Sequence, residues 1–493
     1  MSKKVIVIGG GIAGLSAGVY AKKCGFDVTI LESHTIAGGN CTSWRRGGYL
    51  FEGGMHWLGG SGKNSSCHRM WRHIGALDDS VEISCREPFL EFDHNGTALR
   101  FYRDVECTEK HLLEISPADA KEIRRLCGWI RNLKGMDMPV SDVRGVKMTK
   151  KSRVRLSQLL ALPSMILTVG AVSKISRNEY INRFRHEGIR ELLRAFTFEN
   201  SGVLPLIFTM GALTRGDGGF PKGGSLPFVE RIVKTFTGLG GEILYKTRAD
   251  RVIVENGGAV GVVAGDKKML ADAVIIASDT MAIDQFFDTP PKAKWLDEMR
   301  ATTEPTMATF VSLGIKADLK NYHNYYAFRL KTPIKLGNET LEFLNVSNYA
   351  ADPDYSPSGK TAMTIQLPGD TYDFWKTAKA ENRYDEEKKR IGEAVVAAIE
   401  AQIPEAAGNI EVIDVATPLT YERYCANWKG SWMTEMKSIK NIRTYPATIK
   451  GLNGCYFAGH RLFPPGGLPP ALISGKIAVQ HLCRDTGTVF VCE

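Results

Sequence analysis

Residues 4–32 read KVIVIGGGIAGLSAGVYAKKCGFDVTILE, and they carry the strongest indication of secondary structure in the chain. A short apolar run ends in three glycines, an apolar segment of helical length follows, and a second apolar run ends in an acid. The pattern predicts a strand at residues 4–8, a helix at about 13–24 and a second strand at 27–31. Two lysines before the first run imitate a secretory signal peptide, but the glycines and the second strand argue against one.

The glycines have the spacing Gly9-x-Gly11-x-x-Gly14, which is the fingerprint of a turn that binds a dinucleotide. Gly9 permits the tight turn, Gly11 lets the backbone approach a pyrophosphate, and Gly14 lets the helix pack closely on the strand. We expect Ile12 and Ala13, at the start of the helix, to offer unpaired N–H groups to the phosphates. The fingerprint therefore predicts a βαβ unit that holds a dinucleotide.

Glu32 and the residues after it bear on which dinucleotide is bound. The Glu32 carboxylate can accept hydrogen bonds from ribose hydroxyls, and its charge disfavours a 2′-phosphate. The fingerprint alone does not distinguish NAD from FAD. Six residues further on, Gly38 and Gly39, followed by Asn40, offer a second close approach of backbone to the pyrophosphate. An ordinary turn at this glycine pair is the alternative interpretation.

Several segments resemble, in order along the chain, those of one group of FAD-dependent oxidoreductases: the phytoene desaturases, carotenoid cis–trans isomerases and retinol saturases. The segments are GGNCTS at 38–43, GYLFEGGMHW at 48–57, FPKGGS at 220–225, TPLTYERY at 417–424, and CYFAGH with PPGGLPPA between 455 and 471. The motifs are closest to those of retinol saturase. The resemblance implies FAD as the cofactor and an α/β fold with a Rossmann-like FAD-binding domain of the glutathione-reductase and amine-oxidase type.

The resemblance also assigns cofactor contacts beyond the fingerprint. The residues it assigns to FAD are Met55, His56, Val252, Gly459, Leu468 and Pro469. Because the last three lie near the C-terminus, the FAD-binding domain is expected to be assembled from both ends of the chain. The sequence departs from the family pattern at Glu52, where Asp is usual, at Asn40, where many desaturases have Arg, and at Gly430-Ser-Trp432, where a glycine-aromatic-glycine run is usual.

The length of 493 residues exceeds what one hydrophobic core supports, so several domains are expected. We predict a discontinuous FAD-binding domain (1–80, 215–280 and 440–493), an inserted α+β substrate domain (81–140 and 281–439), and a helical segment at 141–214. Extended stretches at 309–315, 361–367 and 411–414 and a charged helix at 384–402 belong to the substrate domain. No second glycine fingerprint follows a strand pattern, so no separate NAD(P)H domain is expected.

The basic charge of the chain is local. The whole sequence carries a net charge of +9, and residues 141–190 alone carry +8. Within them, 18 uncharged residues between Arg155 and Lys174 include eleven apolar ones and are interrupted by Pro163. This run is too polar for a transmembrane span. A helix lying on anionic lipid through residues 144–177 and a buried helix beside a solvated basic face are both compatible with the pattern.

Composition restricts partners and location further. Aromatic side chains are absent from residues 144–177, so nothing there can stack on bases and we expect no nucleic-acid partner. The ten cysteines form no CxxC pair, which argues against a zinc site or a redox dithiol and favours reduced thiols, so we expect no metal. We therefore predict a cytoplasmic protein, held peripherally at the inner face of the membrane if the helix at 156–173 is interfacial.

The resemblance implies two-electron transfer at flavin N5 to or from carbon–carbon bonds of an apolar polyene or isoprenoid. His56 is the candidate proton donor, as a histidine of near-neutral pKa, although a histidine that only positions the cofactor is the alternative. His460 is expected to position the cofactor. Amine oxidation stays open because Trp428 and Trp432 could form an aromatic cage, as does redox-neutral isomerisation with reduced FAD. The sequence does not identify the electron partner.

Overall fold

The computed structural model describes residues 2–138, 140–149, 156–197, 202–438 and 443–492. The helices are α1 (Ile12–Lys23), α2 (Ser66–His73), α3 (Val105–Ile115), α4 (Ala120–Leu133), α5 (Leu156–Val172), α6 (Arg177–Ile181), α7 (Glu187–Phe196), α8 (Val203–Thr214), α9 (Ser225–Gly238), α10 (Lys294–Thr302), α11 (Tyr372–Ala380), α12 (Tyr384–Gln402), α13 (Pro418–Cys425) and α14 (Leu468–Thr486). The strands are β1 (Lys4–Ile8), β2 (Asp27–Leu31), β3 (Ser43–Arg46), β4 (Tyr49–Glu52), β5 (Ile83–Ser84), β6 (Leu90–His94), β7 (Thr97–Phe101), β8 (Phe220–Pro221), β9 (Glu242–Leu244), β10 (Arg251–Glu255), β11 (Gly258–Ala264), β12 (Lys267–Leu270), β13 (Ala273–Ile276), β14 (Thr303–Thr306), β15 (Ala308–Ile315), β16 (Tyr325–Leu336), β17 (Glu339–Asn348), β18 (Thr361–Pro368), β19 (Ile410–Ala416), β20 (Met433–Met436) and β21 (Cys455–Phe457).

A five-stranded parallel sheet with the order β21-β13-β1-β2-β9 brings the two ends of the chain together. Its central strand, β1, is buried from its second residue onward, which explains the continuous apolar run. The predicted strand–helix–strand unit is confirmed, with α1 starting and ending one residue earlier than expected. The C-terminal strand β21 lies beside β13, so residues far apart in sequence share one sheet edge.

Helices α1 and α14 pack against each other on this sheet, and small residues allow their close approach. A Cβ at Gly475 would lie 2.5 Å from the carbonyl oxygen of Ala13 and 2.8 Å from the amide nitrogen of Ala17. The Ser16 hydroxyl donates a hydrogen bond of 2.8 Å to the carbonyl oxygen of Leu472. The two helices therefore start near each other at the carboxyl edge of the sheet, where ligands of such folds bind.

The second large sheet has seven strands in the order β19-β15-β18-β17-β16-β6-β7. Helices α11 and α12 bury apolar side chains such as Trp375, Ile391 and Val395 against it. The predicted strands at 309–315, 361–367 and 411–414 and the predicted helix at 384–402 all correspond to observed elements. The hairpin of β16 and β17 was not predicted, because its first strand contains Pro333 and a register irregularity between Arg329 and Ile334 that interrupts the alternation.

The helical region does not pack as a separate unit. Helices α6, α7 and α8 share one hydrophobic cluster with β6, β7, α3 and α4, which includes Phe92, Leu126, Leu192 and Ile207. The predicted helical segment 141–214 contains α5 to α8, whereas residues 141–149 are not helical. The apolar side chains of α6 to α8 are buried against residues 89–133. None of the helices in the described part of the chain has the length and hydropathy needed to cross a membrane.

Candidate cofactor and substrate site

The first turns of two helices border the same cavity. α1 begins after Gly11 and α14 begins after Gly467, and neither first turn contains an acidic residue. Among the described residues, no side chain caps either helix start. Ile12, Ala13, Leu468 and Pro469 line the cavity. The unpaired N–H groups of α1 and the positive dipole ends of both helices therefore favour a ligand that carries negative charge, although Pro469 and Pro470 have no N–H to offer.

The two glycine motifs meet beside the start of α1. The amide of Gly38 donates a hydrogen bond of 2.9 Å to the carbonyl oxygen of Gly10, which holds the second motif against the first. Gly38 has a φ of +124°, which only glycine adopts readily. A Cβ added at Gly11 would find its nearest neighbours 3.9 Å away, in Gly38 and Gly39, so the space next to this backbone is open. A pyrophosphate can approach the chain there, as the sequence predicted.

Glu32 lies at the end of β2, where the sequence placed the ribose acid. Its two carboxylate oxygens accept hydrogen bonds of 2.7 Å each from the backbone amides of Gly10 and His34. These bonds fix the carboxylate, and the side chain is buried at the cavity wall. Each oxygen retains a lone pair that can accept a ribose hydroxyl.

The cavity has a volume of about 1750 Å³. Typical small-molecule pockets measure roughly 300–1,000 Å³, so there is room for a dinucleotide and a second ligand. One end is formed by the glycine motifs, Glu32 and residues 247–249. The other end lies between α8 and the seven-stranded sheet. His56 and Phe310 are in the wall between these ends.

Apolar side chains form a continuous part of the cavity wall at the far end, beside charged ones such as Arg194 and Glu342. Leu204, Phe208 and Ala212 follow one another at four-residue spacing along α8, so they point to the same side of the helix. The side chains of Val203 and Ile207 are instead buried in the helical cluster, and Leu206 belongs to both the cluster and the cavity wall. Aromatic residues of the neighbouring elements complete this wall: Phe196, Tyr325 and Phe343. The apolar pattern of α8 did not by itself indicate which of its faces borders a ligand.

The loop that carries His56 is fixed by the buried carboxylate of Glu52. This carboxylate accepts hydrogen bonds from the amides of Ser225 (3.0 Å) and Met55 (3.2 Å), and from the hydroxyls of Ser225 and Tyr355. Burial raises the pKa of Glu52, while the hydrogen bonds from Ser225 and from the loop act in the opposite direction. Glu52 therefore connects this loop to the start of α9.

His56 is surrounded by aromatic rings and is neutral at pH 7. Its ring centroid lies 6.3 Å from those of Phe310 and Trp432, and 6.4 Å from that of Trp57. Burial, and secondarily the charge of Arg86, lower the pKa of His56 to about 4. The expectation of a near-neutral pKa is corrected by this environment. A neutral imidazole can form hydrogen bonds or accept a proton, but it holds no extra proton to deliver at pH 7.

Buried polar atoms without protein partners border the cavity and fit a bound cofactor. Among the described residues, Nδ1 of His56, Nδ1 of His460 and the Ser278 hydroxyl have no hydrogen-bond partner. All three residues line the cavity. Burial lowers the pKa of His460 to about 3, so its ring is also neutral. Buried polar atoms in proteins are nearly always paired, and a polar isoalloxazine and ribityl chain would provide the missing partners.

A buried ion pair holds the segment between α13 and β20 against the cofactor end. Arg461 donates two hydrogen bonds of 2.8 Å to the carboxylate of Asp279. The same guanidinium contacts Ser431 and Thr434, and Asp279 also accepts from the amide of Trp428. The charge of Arg461 and these hydrogen bonds lower the pKa of Asp279 against the effect of burial. The sequence analysis did not identify this pair, because nothing in the local pattern distinguishes it.

Three of the residues predicted for the cofactor site do not line the cavity: Gly14 of the fingerprint, and Met55 and Val252 from the resemblance. Gly14 lies behind it, where a Cβ would overlap the carbonyl oxygen of Gly9, so its role is close packing of α1. Met55 is fully buried in the main hydrophobic cluster. Val252 belongs to β10, and its side chain is buried in a hydrophobic cluster. The lining residues nearest to it in sequence are Thr247, Arg248 and Ala249. The other assigned residues are lining residues: Gly9, Gly11, Ile12, Ala13, Glu32, Gly38, Gly39, Asn40, His56, Gly459, Leu468 and Pro469.

The two tryptophans that kept amine oxidation open both line the cavity. The guanidinium carbon of Arg461 lies 5.8 Å from the ring centroid of Trp428, so a cation of the protein already occupies one side of this ring. Trp432 is perpendicular to His56, with an interplanar angle of 70°. One side of Trp428 is therefore not available to a substrate amine.

Curated relatives of the chain carry the activities that the motifs suggested. The chain is 22% identical to prolycopene isomerase 2 of an Oncidium hybrid cultivar, over 98% of this chain and 84% of the relative. It is 21% identical to the lycopene-forming phytoene desaturase of a Paracoccus strain, over 98% of each chain. It is also 21% identical to the all-trans-retinol 13,14-reductase of Danio rerio, over 97% of this chain and 86% of the relative. Because the three identities are nearly equal, they do not indicate which of the three reactions this chain catalyses.

Solved structures share the fold. Putrescine oxidase in complex with putrescine superposes with a TM-score of 0.63 at 15% identity and covers 99% of each chain. Residues 12–483 match the model of the flavin-containing amine oxidoreductases. This match includes both helix starts at the cavity, the glycine pair at 38–39 and the C-terminal segment. The chain therefore belongs to the family of flavin-containing amine oxidoreductases, and its cofactor is FAD.

Proposed function

We propose that this FAD-dependent oxidoreductase adds or removes hydrogen across carbon–carbon bonds of an apolar polyene or isoprenoid lipid. The observation that carries the proposal is the apolar wall of Leu204, Phe208 and Ala212, which is part of the same cavity as the cofactor end. The retinol reductase and the phytoene desaturase among the relatives support this class of substrate. FAD supplies the two-electron chemistry when it is bound.

The residues of the chain have three tasks in this proposal. The wall formed by α8 and the neighbouring aromatic residues holds a long apolar molecule and excludes water. Neutral His56, fixed through Glu52, provides a hydrogen bond at the boundary between the two ends of the cavity. The start of α14 favours negative charge, which fits the charge that the isoalloxazine gains on reduction.

The proposal is tested by anaerobic turnover of the flavin. A purified holoenzyme is reduced with dithionite and mixed with polyenes, and the oxidised enzyme is mixed with isoprenoids and with amines. Reoxidation by a polyene, or reduction by an isoprenoid, supports the proposal. Bleaching by amines alone contradicts it and favours amine oxidation, and isomers formed without net redox change contradict it in favour of an isomerase.

A variant pair locates the substrate. Phe208→Asn places an amide in the apolar wall and is expected to slow flavin turnover by the lipid about tenfold or more, since one buried aromatic contributes about 1.5–3 kcal/mol. Leu270→Asn, at a side chain that is 69% exposed on β12, is the control and should leave turnover unchanged. Equal rates for both variants would show that the lipid does not use the α8 wall.

We also propose that the protein lies peripherally on the inner face of a membrane and takes its substrate from there. Ile166 and Leu167 on α5 are 60% and 75% exposed, and the residues that follow are rich in arginine. Ser173, directly after α5, lines the cavity, which would shorten the path of a lipid. The predicted basic residues Lys150, Lys151, Arg153 and Arg155 lie outside the described residues. Exposed apolar side chains beside positive charge favour an anionic lipid surface.

Flotation with vesicles that contain an anionic phospholipid tests this location. The doubly substituted protein with Ile166→Ser and Leu167→Ser should stay with the soluble fraction, whereas Leu239→Ser, at a side chain that is 40% exposed on another face, should float as the wild type does. Flotation of the double variant at wild-type level would contradict the role of α5.

A further inference from the structure

A short segment from late in the chain borders the part of the cavity assigned to FAD. Residues 424–427, called the clasp below, comprise the last two residues of α13 and the two that follow. They line the same cavity as Gly11, Glu32 and Gly39. FAD assigned to these glycines and to Glu32 would therefore lie beside the clasp.

Two contacts join the clasp to the segment of residues 34–40. The side-chain amide of Asn427 donates a hydrogen bond of 2.6 Å to the side-chain oxygen of Asn40. The rings of Tyr424 and His34 meet edge to face, with centroids 5.3 Å apart. His34 follows Glu32 by two residues, and Asn40 directly follows Gly39. The two contacts thus span the stretch from the ribose acid to the glycine pair.

The attachment of the next residues differs in chemistry. The amide of Trp428 donates to the buried carboxylate of Asp279 over 2.7 Å, and the ion pair of Asp279 with Arg461 is fully buried. A hydrogen bond to a buried carboxylate contributes more net stability than one hydrogen bond between neutral, half-buried amides. Opening is therefore expected on the side of Asn427, while Trp428 stays anchored.

We propose that the clasp opens to admit FAD and closes over it, and that the hydrogen bond between Asn40 and Asn427 is its latch. The latch joins two protein side chains and does not require FAD, so it holds the clasp in both the free and the loaded protein. Removing it raises the fraction of open molecules in both states. Entry and release of FAD should then accelerate by the same factor, and the dissociation constant should change far less than either rate.

Rapid-mixing measurements of flavin fluorescence test the latch. Apoprotein is mixed with FAD to obtain the association rate, and holoprotein is mixed with an excess of a flavin-binding trap protein to obtain the dissociation rate. Asn427→Ala and Asn40→Ala should each accelerate both rates about threefold to tenfold, as expected for one neutral hydrogen bond. In the double variant, both rates should be no higher than in either single variant, because one substitution already removes the hydrogen bond. Asn409→Ala, at a half-buried asparagine directly before β19, is the matched control.

Several outcomes would overturn the proposal. Faster dissociation with unchanged association would show that the amides contact FAD itself, and additive effects in the double variant would show that they act separately. Unchanged rates would show that residues 424–427 are a fixed wall. Tyr424→Ala, at a side chain that is 45% exposed, provides a second variant with the same expectation for both rates. Failure of the wild-type protein to bind FAD would refute the cofactor assignment and, with it, the clasp.

Discussion

At the scale of single residues, Glu52 shows how one carboxylate organises the site. It is fully buried, and its oxygens accept hydrogen bonds from backbone amides and hydroxyls of three chain segments. Glu52→Gln would turn an amide N–H₂ group towards donors that have no other acceptor in this network. The free energy of unfolding should fall by about 1–3 kcal/mol, measured by urea denaturation at pH 7. Glu255→Gln, at the exposed end of β10, should leave it unchanged.

A second prediction at this scale concerns pH. The pKa of His56 is about 4 in the folded protein and 6.5 in its ordinary state, so the unfolded chain binds the additional proton between these values. The free energy of unfolding should therefore fall by about 2 kcal/mol for this group as the pH falls from 7.5 to 5. His56→Gln should show a correspondingly flatter dependence in urea denaturation at the two pH values. An unchanged slope would mean that His56 is not held neutral.

These residues also mark how far the sequence could predict the site. The glycines and Glu32 were predictable because their roles follow from backbone conformation and spacing within one βαβ unit. The pKa of His56 was not, because it depends on burial by Phe310 and Trp432 and on Arg86, which come from distant segments. The pairing of Asn40 with Asn427 was likewise not predictable, since 387 positions separate them.

At the scale of elements, the packing of α1 on α14 depends on the absence of a side chain at Gly475. Gly475→Ala would press a Cβ against the backbone of Ala13 and Ala17 and force the two helices apart. We expect a loss of about 1–3 kcal/mol in the free energy of unfolding and weaker FAD binding, because both helix starts border the cofactor. Gly128→Ala in α4, where a Cβ would meet nothing within 4 Å, is the control and should not destabilise the protein. An equal change in the free energy of unfolding for both variants would contradict a tight contact between α1 and α14.

Elements with a regular pattern were predicted well, and irregular ones were not. β1, β2 and α12 follow continuous or periodic apolar patterns, and their observed bounds agree with the prediction. β16 has an irregular burial pattern because only part of it pairs regularly with β17. The helices of residues 156–214 were recognised, but their packing against α3 and α4 depends on long-range contacts that no local pattern reports.

At the scale of the whole molecule, FAD should connect the two ends of the chain energetically. The cavity is lined by the end of β1 and the start of α1, and also by Gly459 after β21 and the start of α14, although more than 400 residues separate these two parts. A ligand that binds only the folded state stabilises it, by about 2.7 kcal/mol at a concentration 100 times the dissociation constant. Hydrogen exchange should therefore slow in α1 and α14 together when FAD is added to the apoprotein. Helix α12, which packs on the seven-stranded sheet, is the internal control and should show the smallest change in exchange rate. Slower exchange in α1 alone would mean that FAD does not stabilise the C-terminal segment, which would contradict the prediction.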